Sequence, residues 1–299
     1  MNIESFPQTI EKEITKLVAK KDGRYYPLIK PEDIDRDLFF HLRSQLISLG
    51  CAKDDVLRIA KMICMELLQL QSEEEYLQYV FEDTYHKCRE NIKSGYDPFP
   101  IQDLQNLDYS HTNLFSSIYG FEIEYLKSRG IYSDIADIGC GEGILAKLAN
   151  DYLIEIDGYE IVKPIFCHDD NIHLIEDYHD INKNYKCLIF NHVLEHIRIK
   201  PDDYLSSVID YFVQQMSNDK LQVIFISLPM HTHIYSHIAS KHHWVCTNDI
   251  FIETETRNAI LQNGLDIFYP FIAFSKIAKR FDFKLTVKNE MGLYVFERQ

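Results

Sequence analysis

The sequence predicts an α/β protein with a mostly parallel sheet, preceded by a helical region, and three observations carry that expectation. Ile135-Ala-Asp-Ile138 is a short apolar strand that runs into Gly139-Cys-Gly-Glu-Gly143 and then into a helical stretch at 144–149. A second strand ends on Gly158-Tyr159-Glu160, so the order is strand, glycine turn, helix, strand, acid, with the acid about 20 residues past the turn. From Ser110 onward short apolar runs, Leu188-Ile-Phe190 among them, alternate with helical segments, the mark of a sheet covered on both faces.

Taken in chain order, residues 10–20, 31–48, 53–70 and 73–92 each carry apolar positions at helical spacing, for example Phe39, Leu42 and Leu46. Asp54-Asp55 and Ser72-Glu-Glu-Glu read as helix starts. Gly50 and Ser94-Gly-Tyr-Asp-Pro-Phe-Pro100 read as breakers. The expected division is a helical subdomain over 1–105, serving as a lid, a substrate surface or a homodimer surface, and an α/β domain over 106–299. In the latter, helices are expected at 114–129, 204–216 and 249–263, and strands at Ile135, Gly158, Ile172, Leu188 and Val223, with a closing hairpin over 281–297.

Composition narrows the function classes. Lysine and arginine total 31 against 46 acids, a net charge of −15, which disfavours a nucleic-acid partner held through phosphate neutralisation. The odd, scattered set of seven cysteines reads as small buried residues of a reducing compartment, not a disulfide frame. With no basic leader and no membrane-length apolar run, a cytoplasmic protein without a membrane partner is expected. The basic group Lys276, Lys279, Arg280, Lys284 and Lys288 reads as a solvated face.

Asp137-x-Gly139-x-Gly141-x-Gly143 resembles the first motif of the class I S-adenosylmethionine-dependent methyltransferases, whereas a dinucleotide oxidoreductase would place its third glycine one position later. Further matches follow in order. Gly158-Tyr-Glu160 resembles that family's ribose-binding strand end. Tyr185 to Ile197, with Leu194-Glu-His196, is similar to its fourth-strand motif, with Lys186 where the family usually carries aspartate. Val223 to Pro229 resembles the fifth strand, and 281–297 the closing antiparallel hairpin. The resemblance spans roughly 110–299 and implies a Rossmann-like sheet that binds S-adenosyl-L-methionine at its strand carboxyl ends.

The same resemblance assigns roles. Asp137 would shape the turn by accepting backbone or water-mediated hydrogen bonds. Gly139, Cys140, Gly141 and Gly143 would line the amino-acid end of the cofactor, and Glu160 would accept both ribose hydroxyls. Asp177, with Asp180 competing, is the adenine-side candidate, and Asn191 completes the cofactor set. Methyl transfer from a sulfonium needs in-line alignment and removal of the acceptor's proton, which points to His192 and His196, with Glu195 between them, as the catalytic group.

His192-Val-Leu-Glu195-His196 also resembles the Glu-x-x-Glu-His metal motif of the small-RNA 3′-terminal 2′-O-methyltransferases and the ubiquinone-pathway O-methyltransferases, with histidine replacing the first glutamate. His242-His-Trp-Val-Cys-Thr247 has the form of the histidine stretch that follows the fifth strand in those RNA enzymes. His192, Glu195, His196 and His242 would then form a nitrogen-rich site for a divalent transition metal instead of magnesium; a metal-free histidine base fits the same residues. The leading expectation is O-methylation of a small metabolite or sugar-type acceptor. An RNA 2′-O-methyltransferase, a small-molecule N-methyltransferase and a non-catalytic cofactor-binding regulatory protein are the alternatives.

Overall fold

The computed structural model describes residues 18–21, 24–27, 65, 71–94, 111–161, 171–176, 178–181, 183–196, 207–228, 244–248, 250–262, 264–288 and 292–299. The chain divides into two compact units, one of residues 1–86 with 102–113 and the other of 87–101 with 114–299.

In the first unit a hairpin, β1 (Val18–Lys21) and β2 (Arg24–Pro27), pairs antiparallel with Lys21 opposite Arg24. This corrects the expected helix at 18–20, and with it a wholly helical subdomain; residues 10–17 lie outside the described residues. The apolar spacing of that stretch is ambiguous by itself. Asp22-Gly23 is a residue pair suited to a two-residue hairpin connection, and Tyr25 and Tyr26 favour strand. The helices expected at 31–48 and 53–70 lie outside the described residues, apart from a helical Met65.

Helix α1 (Glu73–Ser94) starts where Ser72 predicts. The Ser72 hydroxyl accepts the Glu75 amide at 3.1 Å, and the Glu75 carboxylate reaches back to the Gln71 amide. The carboxyl-terminal part of α1 belongs to the second unit, and the chain changes unit again at 101/102 and at 113/114. Arg89 there pairs with Asp151 at 2.6 Å, and Asn91 donates to the Ser116 hydroxyl.

The second unit contains all of α2 (His111–Ser128) from Leu114 on, β3 (Ile135–Ile138), α3 (Ile144–Asn150), β4 (Ile156–Glu160), β5 (Ile172–Leu174), β6 (Cys187–Asn191), α4 (Ser207–Met216) and β7 (Val223–Ser227). Next come β8 (Trp244–Cys246), α5 (Thr254–Gln262), β9 (Asp266–Phe268), α6 (Pro270–Arg280), β10 (Phe283–Lys288) and β11 (Leu293–Arg298). The main sheet runs β10-β11-β7-β6-β3-β4-β5, with only β11 antiparallel to its neighbours. Strand order reverses at β3, which lies between β4 and β6. That is the expected Rossmann-like sheet with its closing antiparallel hairpin. A separate two-stranded parallel sheet, β8-β9, was not legible in the sequence.

Strand alternation sorts the core into two layers. Ala136, Ile138, Leu188, Phe190, Ile224, Ile226, Tyr294 and Phe296 face one way and pack with Phe212 of α4 and Phe274 of α6. The Phe274 ring lies 5.1 Å from Tyr294 and 5.5 Å from Phe296, both edge-on. The opposite face lies under α2, where Phe225 meets Phe121 and Tyr125. Asp137, Asn191 and Ser227 share that second face by parity, each at or next to a strand's carboxyl end. No described helix is long and apolar enough to cross a membrane. The described cysteines are free, and three of the four are buried.

Phe274 is fully buried and touches four other aromatic rings, so Phe274→Ala is expected to cost about 3–5 kcal/mol. Urea unfolding of both proteins, followed by the shift in midpoint at constant slope, checks it.

Candidate cofactor and methyl-transfer site

The glycine turn leaves β3 with Gly139, Gly141 and Gly143 all at positive φ, a conformation that a side chain would strain. Its amides are held from the next strand. The Tyr159 carbonyl accepts from Gly139 at 2.8 Å and from Cys140 at 3.2 Å, while Glu160 Oε2 accepts from Gly141 at 2.9 Å. Glu160 Oε1 accepts from the Ile161 amide.

Gly139 has a second reason to lack a side chain. A Cβ there would lie 2.5 Å from Val193 Cγ2 and 2.9 Å from Val193 Cβ. The turn after β3 is therefore in direct contact with the turn after β6, which carries His192 and Glu195.

Asp137 accepts no hydrogen bond from the turn amides. Its side chain is buried, Oδ1 has no hydrogen-bond partner among the described residues, and the amides of Gly139, Cys140 and Gly141 go to Tyr159 and Glu160 instead. Burial, and then the charge of Glu160, push its carboxyl up to about 7. Asn191 ends β6, donating to Glu122 Oε2 at 3.1 Å and accepting from the Ser227 hydroxyl at 2.8 Å. Glu122 is fully buried with Oε1 unpartnered; burial pushes its carboxyl well above the usual range, the Asn191 bond opposes that, and Asp137 adds to it. No lysine or arginine is among the groups acting on Glu122 or Asp137 in the described residues.

His192 follows at φ 53°, and its amide donates to the Ser227 carbonyl. Its Nδ1 lies 3.4 Å from Glu195 Oε1, too loosely aligned for a hydrogen bond. Among the described residues His192 Nε2 and both Glu195 oxygens are buried without partners, and the Phe115 ring meets the imidazole edge-on at 5.2 Å. The Leu194–His196 turn is one of 3₁₀ type, and β8 packs against it. Burial, then Glu195, push the Cys246 thiol up, which places the end of β8 within the field of Glu195.

The side chain of His196, together with all of Asp177 and His242, lies outside the described residues. The competing Asp180 sits in a 3₁₀ turn, exposed. Among the described residues no three histidine, cysteine or acidic groups converge as a metal site. Lys186 does not alter the pocket, because it pairs with Asp134 at 3.5 Å, at the amino ends of β3 and β6. Tyr185 is structural as well, donating to Asp157 at 2.8 Å and meeting the Tyr159 hydroxyl.

Sequence reasoning missed Glu122, Phe115 and Val193. A signal for Glu122 existed: it lies four residues after Ile118 and four before Leu126, an acid in the middle of a helix's apolar stripe.

No family model matches the chain, and no curated protein does. Among solved structures it is similar to the methyltransferase domain of bacterial CtHen1, at 16% identity over 62% of this chain and 98% of that one, with a TM-score of 0.39. It is also similar to magnesium protoporphyrin IX methyltransferase (ChlM) from Synechocystis PCC 6803, at 13% identity over 63% and 85%, TM-score 0.42. A SAM-dependent methyltransferase from Archaeoglobus fulgidus matches at 15% identity over 60% and 94%, TM-score 0.36. At these similarities the fold assignment stands on the strand order itself.

Gly139→Ala combines left-handed strain with the collision against Val193 and is expected to cost about 2–4 kcal/mol. Gly141→Ala meets nothing within 4 Å and should cost only the strain, about 1–2 kcal/mol. Thermal unfolding of the two variants side by side checks the order.

Proposed function

We propose that the chain is an S-adenosylmethionine-dependent methyltransferase acting on a hydroxyl of a small acceptor. The observation that carries this reading is the charge around the glycine turn. Asp137 and Glu160 flank it, and no lysine or arginine among the described residues acts on Asp137. A turn so surrounded repels a dinucleotide's pyrophosphate and favours a nucleoside bearing a sulfonium and an ammonium. In this reading Glu160 accepts the ribose hydroxyls, and Gly139 and Gly141 let the backbone pass beside the amino-acid end.

His192 then serves as the base. As the acceptor oxygen attacks, the new O–C bond forms, the C–S bond breaks with its electron pair going to sulfur, and the acceptor's proton passes to Nε2. The neutral thioether product leaves with one positive charge fewer. Glu195 holds the imidazolium by charge across the 3.4 Å contact. The buried, unpartnered His192 Nε2 supports retained chemistry over a purely regulatory role. The net charge of −15 supports a small acceptor over RNA, and an amine acceptor would use the same base.

A divalent transition metal is the finer reading of the same turn. The unpartnered imidazole and carboxylate are donors that suit it, and His196 and His242 would supply the remainder. When bound, such an ion would lower the pKa of the acceptor hydroxyl. Elemental analysis after exhaustive chelation, compared with untreated protein, tests this separately from cofactor binding.

Calorimetry tests the main reading. S-adenosylmethionine should bind and NAD should not, and Glu160→Ala should weaken binding by roughly 1.5–3 kcal/mol. Wild-type affinity in that variant would remove Glu160 from the site.

Asp137 gives a linked pH signature. Its folded pKa of about 7 lies above the unfolded value, so the free protein binds the extra proton and loses stability as pH rises through that value. Cofactor affinity should do the opposite, because only the ionised carboxylate attracts a cation. Asp137→Asn should flatten both slopes, read by chemical unfolding and calorimetry from pH 5 to 8.5; unchanged slopes would assign them to another group.

A further inference from the structure

The end of β6 is held in a way that the proposed chemistry does not use directly. His192 occupies the left-handed region at φ 53° without being glycine, a state that persists only where surrounding contacts over-determine it. Those contacts form a continuous chain. Glu122 accepts from the Asn191 amide group, Asn191 accepts from the Ser227 hydroxyl, and the Ser227 carbonyl accepts the His192 amide. The helix that supplies Glu122 also supplies Phe115, two turns earlier on the same face, whose ring fixes the other side of the imidazole. Asn191 and Ser227 are register partners on adjacent parallel strands, so the chain ties α2, β6 and β7 together at their site ends.

Resting on the methyltransferase reading, we propose that Glu122 is a positioning residue: through Asn191 it holds the strained His192 backbone, and with it the His192–Glu195 pair, beside the cofactor turn. Burying an acid with one oxygen unpartnered costs stability, and an apolar residue would fill that place in α2 more cheaply. The bond to Asn191 is what the acid provides there. Burial pushes the Glu122 carboxyl well above its usual range, and glutamine, which offers the same carbonyl to Asn191, is a close substitute.

The test uses the full-length protein with hydrogen exchange resolved at the His192 amide. Selectively labelled histidine supplies a second readout, the His192 ring signal at one fixed pH, displaced by the Phe115 ring. In Glu122→Leu and in Ser227→Ala, exchange at His192 should quicken about tenfold and the ring signal should move, while the β4 amides keep their protection. Ser227→Ala changes volume little and keeps the test open if the leucine variant does not fold. Glu122→Gln should restore both readouts.

Calorimetric affinity for S-adenosylmethionine should stay within about twofold in all three variants, since the β3 turn and Glu160 are untouched. An unmoved His192 in both disrupting variants would overturn the proposal. So would acceleration at His192 no greater than in β4, a glutamine variant as fast as the leucine one, or a tenfold loss of cofactor affinity with His192 unmoved. Failure of the wild-type protein to bind S-adenosylmethionine would instead overturn the methyltransferase reading, whatever His192 does.

Discussion

The site depends on one close approach, that of the Gly139 backbone to Val193. A parallel sheet sets its neighbouring strands less than 5 Å apart, so the turns leaving β3 and β6 must either diverge or touch. Here they touch, with Val193 filling the space where a Cβ would stand. One turn carries the candidate cofactor contacts and the other the candidate base. Their separation is thus fixed by van der Waals contact and not by a flexible linker, and in-line transfer requires that kind of constraint because small misplacements are costly.

Beneath the contact lies a polar layer within an otherwise apolar core. Asp137, Asn191 and Ser227 face α2, from which Glu122 reaches toward them, and between them they leave two carboxylate oxygens without a partner among the described residues. Such a layer weakens the fold, since every buried polar atom without a partner forfeits hydration. The opposite face bears the compensating load, where the aromatic cluster around Phe274 packs α4 and α6 onto the same strands. Stability is thus concentrated on one side of the sheet and electrostatic function on the other. A cationic ligand at the glycine turn would ease the repulsion on the second side, which couples ligand binding to folding stability.

Much of this was legible in the sequence because it is local. The strand-turn-helix around Gly139, the acid at Glu160, the Ser72 cap and the closing hairpin each follow from residues within one or two elements of each other. What escaped depends on distant partners or ambiguous patterns. Glu122 and Asn191 are 69 positions apart, and β8 finds β9 across an intervening helix, so neither pairing leaves a periodic trace. The β1-β2 hairpin escaped for a different reason, because an apolar spacing compatible with a helix outweighed the Asp22-Gly23 signal beside it. The direct backbone bonds expected of Asp137 are made by Tyr159 and Glu160 instead, because parity places Asp137 facing α2 whereas the amides of Gly139, Cys140 and Gly141 point toward β4.

The most direct measurement is a crystal structure of the protein soaked or co-crystallised with S-adenosylhomocysteine. The ribose hydroxyls should lie on Glu160, the amino-acid end should pass Gly139 and Gly141, and the sulfur should face the His192–Glu195 turn. A nucleoside bound elsewhere, or a sulfur turned away from His192 with the ribose off Glu160, would contradict the assignment of this sheet edge as a methyl-transfer site.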